Sequence, residues 1–275
     1  MRTLVHLSDL HFGRVDPALL APLTARIERI APDLVVVSGD LTQRARSDEF
    51  IAARAFLDSL RLPLVVVPGN HDIPLHNLYD RFLRPLHKYR RYITADLQPF
   101  YTDGEIAVVG INTARSMTIK DGRINVLQMK QVSASFAGLP AEVIRIIVSH
   151  HPFDLPDQFL RSDLAGRADP AMQIFADCGA DLLLAGHLHA SHAGTTAAHH
   201  AIDGFAALVV QAGTATSTRG RGEENSFNVL RVASTEITAE RYTWSAPADT
   251  FELSNTERFI RRGAQWIRQA ADPSD

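Results

Sequence analysis

The sequence has a single cysteine, Cys178, which excludes an internal disulfide framework and a cysteine-rich zinc site. It lacks an apolar run near the ~18 residues of a membrane-spanning helix, and it shows no signal-peptide pattern. It also lacks a block of basic residues, and its 28 Lys and Arg are offset by 31 Asp and Glu, which argues against a nucleic-acid partner. We therefore expect a cytoplasmic protein whose ligand is not a nucleic acid.

Short β-branched segments alternate with helical patterns over most of the chain. Residues 17–31 and 48–60 show helical patterns, each beginning at a capping residue or proline. The segments with strand character are 3–8, 33–39, 63–69, 106–112, 143–150 and 181–187. This alternation predicts an α/β fold with right-handed crossovers and partly parallel strands.

The pattern changes after residue 205, where three strand candidates follow one another without a helix between them. These candidates predict a second, more antiparallel sheet that packs on the first. Residues 73–98 are rich in Tyr, Arg and Leu, and their helical character suggests an excursion that roofs a site.

The C-terminal stretch "NTERFIRRGAQWIRQ" predicts a basic amphipathic helix, with Phe259, Ile260, Gly263 and Ile267 on one stripe. We expect a main domain over 1–245 and a helical appendage over 246–275. Segment 254–270 is expected to pack on the main domain or on a second subunit of a homo-oligomer, and contact with a membrane surface is the less favoured alternative.

Polar side chains follow five of the predicted strands, at the point where each strand ends. They are Asp9 and His11, then Asp40, then Asn70, His71 and Asp72, then His150 and His151, and finally His187 and His189. Because the carboxyl ends of the strands border the ligand crevice in open α/β sheets, we expect these side chains to share one edge.

Carboxylate, imidazole and amide ligands without a thiolate suit ions such as Mn, Fe or Zn. A carboxylate can bridge two ions, because each of its oxygens carries lone pairs. Two divalent ions beside two carboxylates leave a net positive charge, which favours an anionic substrate such as a phosphate ester.

The motifs "DLH", "GDLT", "GNHD", "HHP" and "GHLH", in this order between residues 9 and 189, resemble those of the calcineurin-like metallophosphoesterases. The resemblance is strongest to bacterial class III cyclic-nucleotide phosphodiesterases and related glycerophosphodiesterases. It implies a four-layer αββα sandwich of two mixed sheets flanked by helices. It also implies a cofactor of two divalent or mixed-valence transition-metal ions.

The resemblance assigns roles to individual residues. It implies a first metal site of Asp9, His11 and His189, a second site of Asn70, His150 and His187, and Asp40 as the bridge between them. In the family's H-x-P element the first histidine is the ligand, which favours His150 over His151. His71 would act on the phosphate as a catalytic residue. Arg44 aligns with a phosphate-contacting arginine. Independently of the resemblance, Arg115, Arg219 and Arg221 are candidates for contact with the second substituent of the substrate.

The sequence therefore predicts an enzyme that hydrolyses a small-molecule phosphodiester, such as a 3',5'-cyclic nucleotide, by attack of a hydroxide held between the two ions. A glycerophosphodiesterase, a sugar-nucleotide pyrophosphatase and a phosphomonoesterase remain open as alternatives with the same centre. An inactive binding module is least favoured, because every family position is filled. Gln43 stands where protein phosphatases of the superfamily have an aspartate, which argues against that branch.

Overall fold

The computed structural model describes residues 1–156, 159–200, 202–218 and 223–270. Within these ranges the strands are β1 (Arg2–Leu7), β2 (Leu34–Ser38), β3 (Leu64–Val67), β4 (Phe100–Thr102), β5 (Ile106–Ile111), β6 (Ile144–Ser149), β7 (Leu182–Ala185), β8 (His192–Thr195), β9 (Leu208–Gln211), β10 (Ser226–Val232), β11 (Glu236–Ser245), β12 (Thr250–Arg262) and β13 (Gln265–Arg268). The α-helices are α1 (Pro17–Ile30), α2 (Ser47–Ser59), α3 (Leu78–Leu83), α4 (His87–Tyr92), α5 (Val126–Phe136) and α6 (Ala168–Asp177).

The strands form two mixed sheets. The first sheet has the order β13-β12-β11-β10-β1-β2-β3, in which β1, β2 and β3 are parallel and the remaining neighbours pair antiparallel. The second has the order β4-β5-β6-β7-β9-β8, with four central parallel strands and an antiparallel strand at each edge. Each parallel set therefore ends on a common edge.

Helices cover the outer face of each sheet. Because successive side chains of a strand point to opposite faces, β2 places Val36 between the two sheets and Val37 against α1 and α2. In the second sheet, Val108 of β5 faces the first sheet, whereas Val109 packs in the cluster that includes α5 and α6. This arrangement confirms the predicted αββα sandwich of two mixed sheets.

The prediction that the strands after residue 205 build the second sheet is wrong. Strand β9 joins the second sheet beside β7, whereas β10 pairs with β1 and extends the first sheet. On β10, Val229 packs in the cluster that includes α1 and α2 on the outer face of the first sheet, and Leu230 packs between the two sheets. A strand with both faces buried has an apolar pattern that does not reveal which sheet it joins.

The predicted C-terminal helical appendage is also wrong, because β12 and β13 form a hairpin at the edge of the first sheet. Its two-residue turn begins at Gly263, which has a φ of +64°, a conformation that glycine adopts without steric cost. Phe259 and Trp266 are buried between the sheets, and Trp266 Nε1 donates to Asp181 Oδ1 at 3.1 Å. The predicted amphipathic helix is therefore not formed, and the segment packs on the main domain as a hairpin.

Residues 73–98 contain α3 and α4. Helix α4 packs against the first sheet through buried Tyr89, whose hydroxyl donates to the carbonyl of Val66 at 3.0 Å. Helix α3 leaves Leu78 and Phe82 exposed to solvent. None of the helices in the described ranges is long and apolar enough to cross a membrane.

Candidate metal centre and substrate cavity

The seven predicted metal ligands lie on loops that follow β1, β2, β3, β6 and β7. The first three strands belong to one sheet and the last two to the other, so the ligands come from the adjoining edges of two sheets. The sequence predicted that these residues share one edge, but it did not predict that they come from two sheets. Six of the seven side chains are buried, and Asn70 is half-buried.

Five of these residues have a left-handed backbone conformation. Their φ angles are 54° for Asp9, 49° for His11, 52° for Asp40, 72° for His187 and 58° for His189. Residues other than glycine seldom adopt positive φ, and backbone strain of this kind clusters at functional sites. Each of these loops therefore turns sharply after its strand.

Two glycines allow the loops to approach closely. A Cβ atom on Gly186 would lie 1.8 Å from Ser8 Oγ, and one on Gly69 would lie 2.1 Å from Asp40 Oδ1. Larger residues at either position would displace the loop that carries Asp9 or the side chain of Asp40. The glycines of "GNHD" and "GHLH" are therefore required by packing at the site.

Asp9, His11 and His189 form the first group of metal-ligand atoms, which all lie within 4.8 Å of one another. Asp9 Oδ1 is 3.5 Å from His11 Nε2 and 3.4 Å from His189 Nε2. Asp9 Oδ2 accepts hydrogen bonds from Ser8 and from the backbone of His187, whereas buried Oδ1 accepts none from the described residues. A buried carboxylate oxygen facing two imidazoles in this way fits a bound cation.

The second group surrounds Asp40. Asp40 Oδ2 lies 3.4 Å from His150 Nε2 and 3.8 Å from His11 Nε2, so this carboxylate stands between the two groups. Asn70 Oδ1 is 3.1 Å from His150 Nε2, and the rings of His150 and His187 are 5.1 Å apart between centroids. His150 Nδ1 donates to the carbonyl of Ser38 at 2.8 Å, which leaves Nε2 as the nitrogen that faces the cluster.

His151 also lies near this group, since its ligand atom is within 4.8 Å of those of His150 and His187. Both of its ring nitrogens already have partners, because Nε2 donates to the carbonyl of Lys120 and Nδ1 contacts the hydroxyl of Thr113, each at 2.8 Å. The geometry therefore supports His150 as the ligand of this pair.

The two carboxylates remain ionised in this cluster. Burial alone would raise the pKa of Asp9 and of Asp40, but the surrounding histidines outweigh burial and lower both pKa values below the usual range. Burial likewise opposes the charged form of His150, yet Asp40 beside it raises the pKa of His150 to about 9. The carboxylates thus attract positive charge, and a divalent cation would take the place of the proton on His150.

His71 lies beside the ligand groups, and its backbone N–H donates to Asp40 Oδ1 at 2.8 Å. Its ring Nδ1 is 2.9 Å from the carbonyl oxygen of Gln43. Because a carbonyl can only accept, Nδ1 carries hydrogen, and the opposite edge of the ring bears Nε2. The carbonyl of Gln43 therefore orients the ring of His71.

Asp72 is a structural element of the site to which the sequence assigned no role. Its buried carboxylate accepts hydrogen bonds from the backbone N–H groups of Gly69, Leu41 and Thr42 and from the Thr42 hydroxyl. Burial and nearby Asp40 raise the pKa of Asp72 to about 6. Asp72 therefore joins the loop of Asp40 to the loop of Asn70 and His71. The sequence shows Asp72 as the last residue of the "GNHD" motif, but the spacing of the motifs does not predict these hydrogen bonds.

A cavity of about 360 Å³ opens beside the cluster. Its lining consists of Asp40, Gln43, Arg44, Asn70, His71, Ile73, Leu75, Arg81, Ile119, Lys120, His187 and His189. Arg44 is one of these lining residues, and its contact with a substrate stays a prediction.

Arg115 lies in a different, neighbouring cavity. Its guanidinium donates to the carbonyls of Asn112 and Ala114 and to Gln128 Oε1. It is therefore held by its own loop and by α5, away from the candidate metal ligands. Arg219 and Arg221 fall outside the described residues.

Residues 2–191 match the family model described as calcineurin-like phosphoesterase. The glycerophosphodiester phosphodiesterase GpdQ of Enterobacter lignolyticus is 40% identical over 96 residues, which cover 30% of this chain and 33% of that protein, so the match spans about a third of the relative. The 3',5'-cyclic adenosine monophosphate phosphodiesterase CpdA of Escherichia coli is 26% identical over 205 residues, 68% of this chain and 69% of that protein. A dimetal phosphatase from Danio rerio shares the fold, with a TM-score of 0.65 and 14% identity over 87% of this chain and 95% of that one.

Proposed function

Since the chain belongs to the calcineurin-like phosphoesterase family, we propose that it hydrolyses a small-molecule phosphodiester at two metal ions. The protein is a hydrolase of phosphate esters, and its fold implies a dimetal centre. The observation that supports the proposal is the pair of buried Asp and His groups that stand on either side of Asp40 and adjoin an open cavity.

We assign Asp9, His11 and His189 to the first ion and Asn70, His150 and His187 to the second, with Asp40 bridging. The oxygen and nitrogen donors suit Mn, Fe or Zn. When bound, such ions lower the pKa of coordinated water towards 7 and offset negative charge on the phosphoryl oxygens.

His71 is the proposed catalytic residue. The Gln43 carbonyl accepts from its Nδ1–H, and His71 lines the cavity, so we assign Nε2–H of the protonated ring to donate to the departing oxygen. Arg44 in the same lining supplies positive charge for the anionic substrate. The remaining lining residues restrict what can reach these groups.

A 3',5'-cyclic nucleotide is the first substrate to test, because a relative that shares about two thirds of the chain is named a cyclic adenosine monophosphate phosphodiesterase. A glycerophosphodiester is the second, on the strength of the shorter but more identical match to GpdQ. Sugar-nucleotide pyrophosphates and phosphomonoesters are the remaining alternatives. The cytoplasmic location and a homo-oligomeric state stay predictions from the sequence.

A substrate panel with Mn, Fe or Zn tests the proposal. It includes 3',5'-cyclic AMP, a glycerophosphodiester, bis(4-nitrophenyl) phosphate and 4-nitrophenyl phosphate. We expect metal-dependent turnover of at least one diester and its loss in Asp40→Ala. Absence of turnover on every ester with every metal would refute the proposed function.

A further inference from the structure

Three consecutive backbone carbonyls on the loop after β5 accept hydrogen bonds from side chains of the site. The carbonyl of Thr118 accepts from Arg81, that of Ile119 from Asn70 Nδ2 at 3.3 Å, and that of Lys120 from His151 Nε2 at 2.8 Å. Asn70 is a proposed metal ligand, and His151 adjoins another. Segment 118–120 is therefore fixed to the candidate metal centre and forms a wall of its cavity.

Arg81 of α3 connects this wall to the segment before α3. Its guanidinium is buried and donates both to the carbonyl of Thr118 and, at 3.3 Å, to the carbonyl of Pro74. Thr118 directly precedes Ile119, and Pro74 directly precedes Leu75. Both Ile119 and Leu75 are apolar residues of the cavity lining. One guanidinium thus positions both apolar side chains.

Leu75 and Ile119 are open to solvent, with exposed fractions of 39% and 65%. They share the cavity with the candidate metal ligands, so one part of the lining is apolar and another is charged. Ligand sites commonly combine apolar walls with a few placed polar groups. The volume of about 360 Å³ is near the lower end of the roughly 300–1,000 Å³ found for such sites, which suits a mononucleotide better than a diacylated sugar.

We propose that Leu75 and Ile119 form the subsite for the nucleobase of a nucleotide diester, and that Arg81 is the positioning residue that holds the subsite in place. The proposal rests on the proposed function, because the phosphate must lie at the metal centre. A flat base offers apolar faces to these side chains, whereas a glycerol or ethanolamine group would lose hydration of its polar atoms there without gaining partners.

The test compares Leu75→Ala and Ile119→Ala with the matched control Leu78→Ala. Leu78 is 64% exposed on α3 and lies outside the cavity lining. Calorimetry on the Mn-loaded proteins measures the Kd of 5'-AMP and of inorganic phosphate, and kinetics measure turnover of 3',5'-cyclic AMP and bis(4-nitrophenyl) phosphate.

Each subsite variant should weaken 5'-AMP binding about three- to tenfold and raise KM for cyclic AMP similarly, with kcat within about twofold. Phosphate binding should not change, and Leu78→Ala should match wild type. Unchanged affinity for AMP, or equal losses of affinity for AMP and for phosphate, would overturn the subsite. The proposed function would still stand in that case, provided that the wild type turns over a diester. If no ester is turned over by wild type, the proposed function itself fails.

Arg81→Lys separates positioning from charge, since a lysine keeps the charge but cannot span both carbonyls with a planar fork. We expect weaker AMP binding and a raised KM for cyclic AMP, with unchanged phosphate affinity and a Tm that confirms folding. Wild-type AMP affinity in folded Arg81→Lys would refute the positioning role.

Discussion

The buried histidine of the first strand, His6, should make the protein less stable in mild acid. His6 is fully buried, and its Nε2 lies 2.9 Å from Ser38 Oγ. Burial lowers the pKa of His6 from 6.5 to about 3. Protonation would place a charge in the core. It would also add a proton to Nδ1, which has no hydrogen-bond partner among the described residues.

The sign follows from proton linkage. Below pH 6.5 the unfolded chain binds a proton at His6, whereas the folded chain does not do so until the pH approaches 3. The free energy of unfolding therefore falls as the pH falls through this window, by up to about 1.4 kcal/mol per pH unit. Between pH 7 and pH 5 this single group should cost about 2 kcal/mol.

Urea unfolding of wild type and His6→Gln at pH 7 and pH 5, both without metal, measures this effect. The variant cannot titrate at this position, and other groups contribute equally to both proteins. Wild type should therefore lose about 2 kcal/mol more than the variant between the two pH values. Equal losses in the two proteins would show that His6 is not held neutral in the folded state.

Three further predictions concern catalysis. Asp40→Ala should lose both ions and turnover, whereas Asp9→Ala should mainly weaken one site; retention of both ions by Asp40→Ala in elemental analysis would refute the bridge. His71→Ala should keep its metals but lose about 10²–10⁴-fold in kcat on alkyl diesters and clearly less on nitrophenyl diesters, because an alkoxide needs a proton to leave. Equal losses on both substrates would instead assign His71 to stabilising the phosphoryl oxygens. The kcat/KM for bis(4-nitrophenyl) phosphate should exceed that for 4-nitrophenyl phosphate, and a monoester preference above about tenfold would reverse the branch assignment.

The strand-end positions of the candidate ligands were predictable from sequence because each follows a strand whose apolar pattern is plain. "SGDLT" after β2 and "GHLH" after β7 place their polar residues at strand ends regardless of which sheet each strand joins. The division of the candidate ligands between two sheets was not predictable, since it depends on which strands pair: β1, β2 and β3 in one sheet, and β6 and β7 in the other. Strand β10 was misplaced for a related reason, because its partner β1 lies more than 200 residues away and local sequence contains no signal for it.

The C-terminal error has a local cause. Phe259, Ile260 and Ile267 fit a helical stripe, but Phe259 and Trp266 also fit a hairpin that turns at Gly263, and tertiary packing favours the hairpin. Arg81 was missed for a different reason. A buried arginine that joins two loops through their carbonyls has no motif, so its role appears only once α3 and the Thr118 loop are in place.

The central claim is that this chain is a phosphodiesterase that uses two metal ions, bound by the two groups of candidate ligands on either side of Asp40. Elemental analysis of the gently purified protein, together with turnover of bis(4-nitrophenyl) phosphate before and after addition of Mn, tests it most directly. The account predicts about two transition-metal ions per chain and diester turnover that a chelator abolishes and Mn restores. Fewer than about one ion per chain, with no gain in turnover on adding Mn, would contradict it.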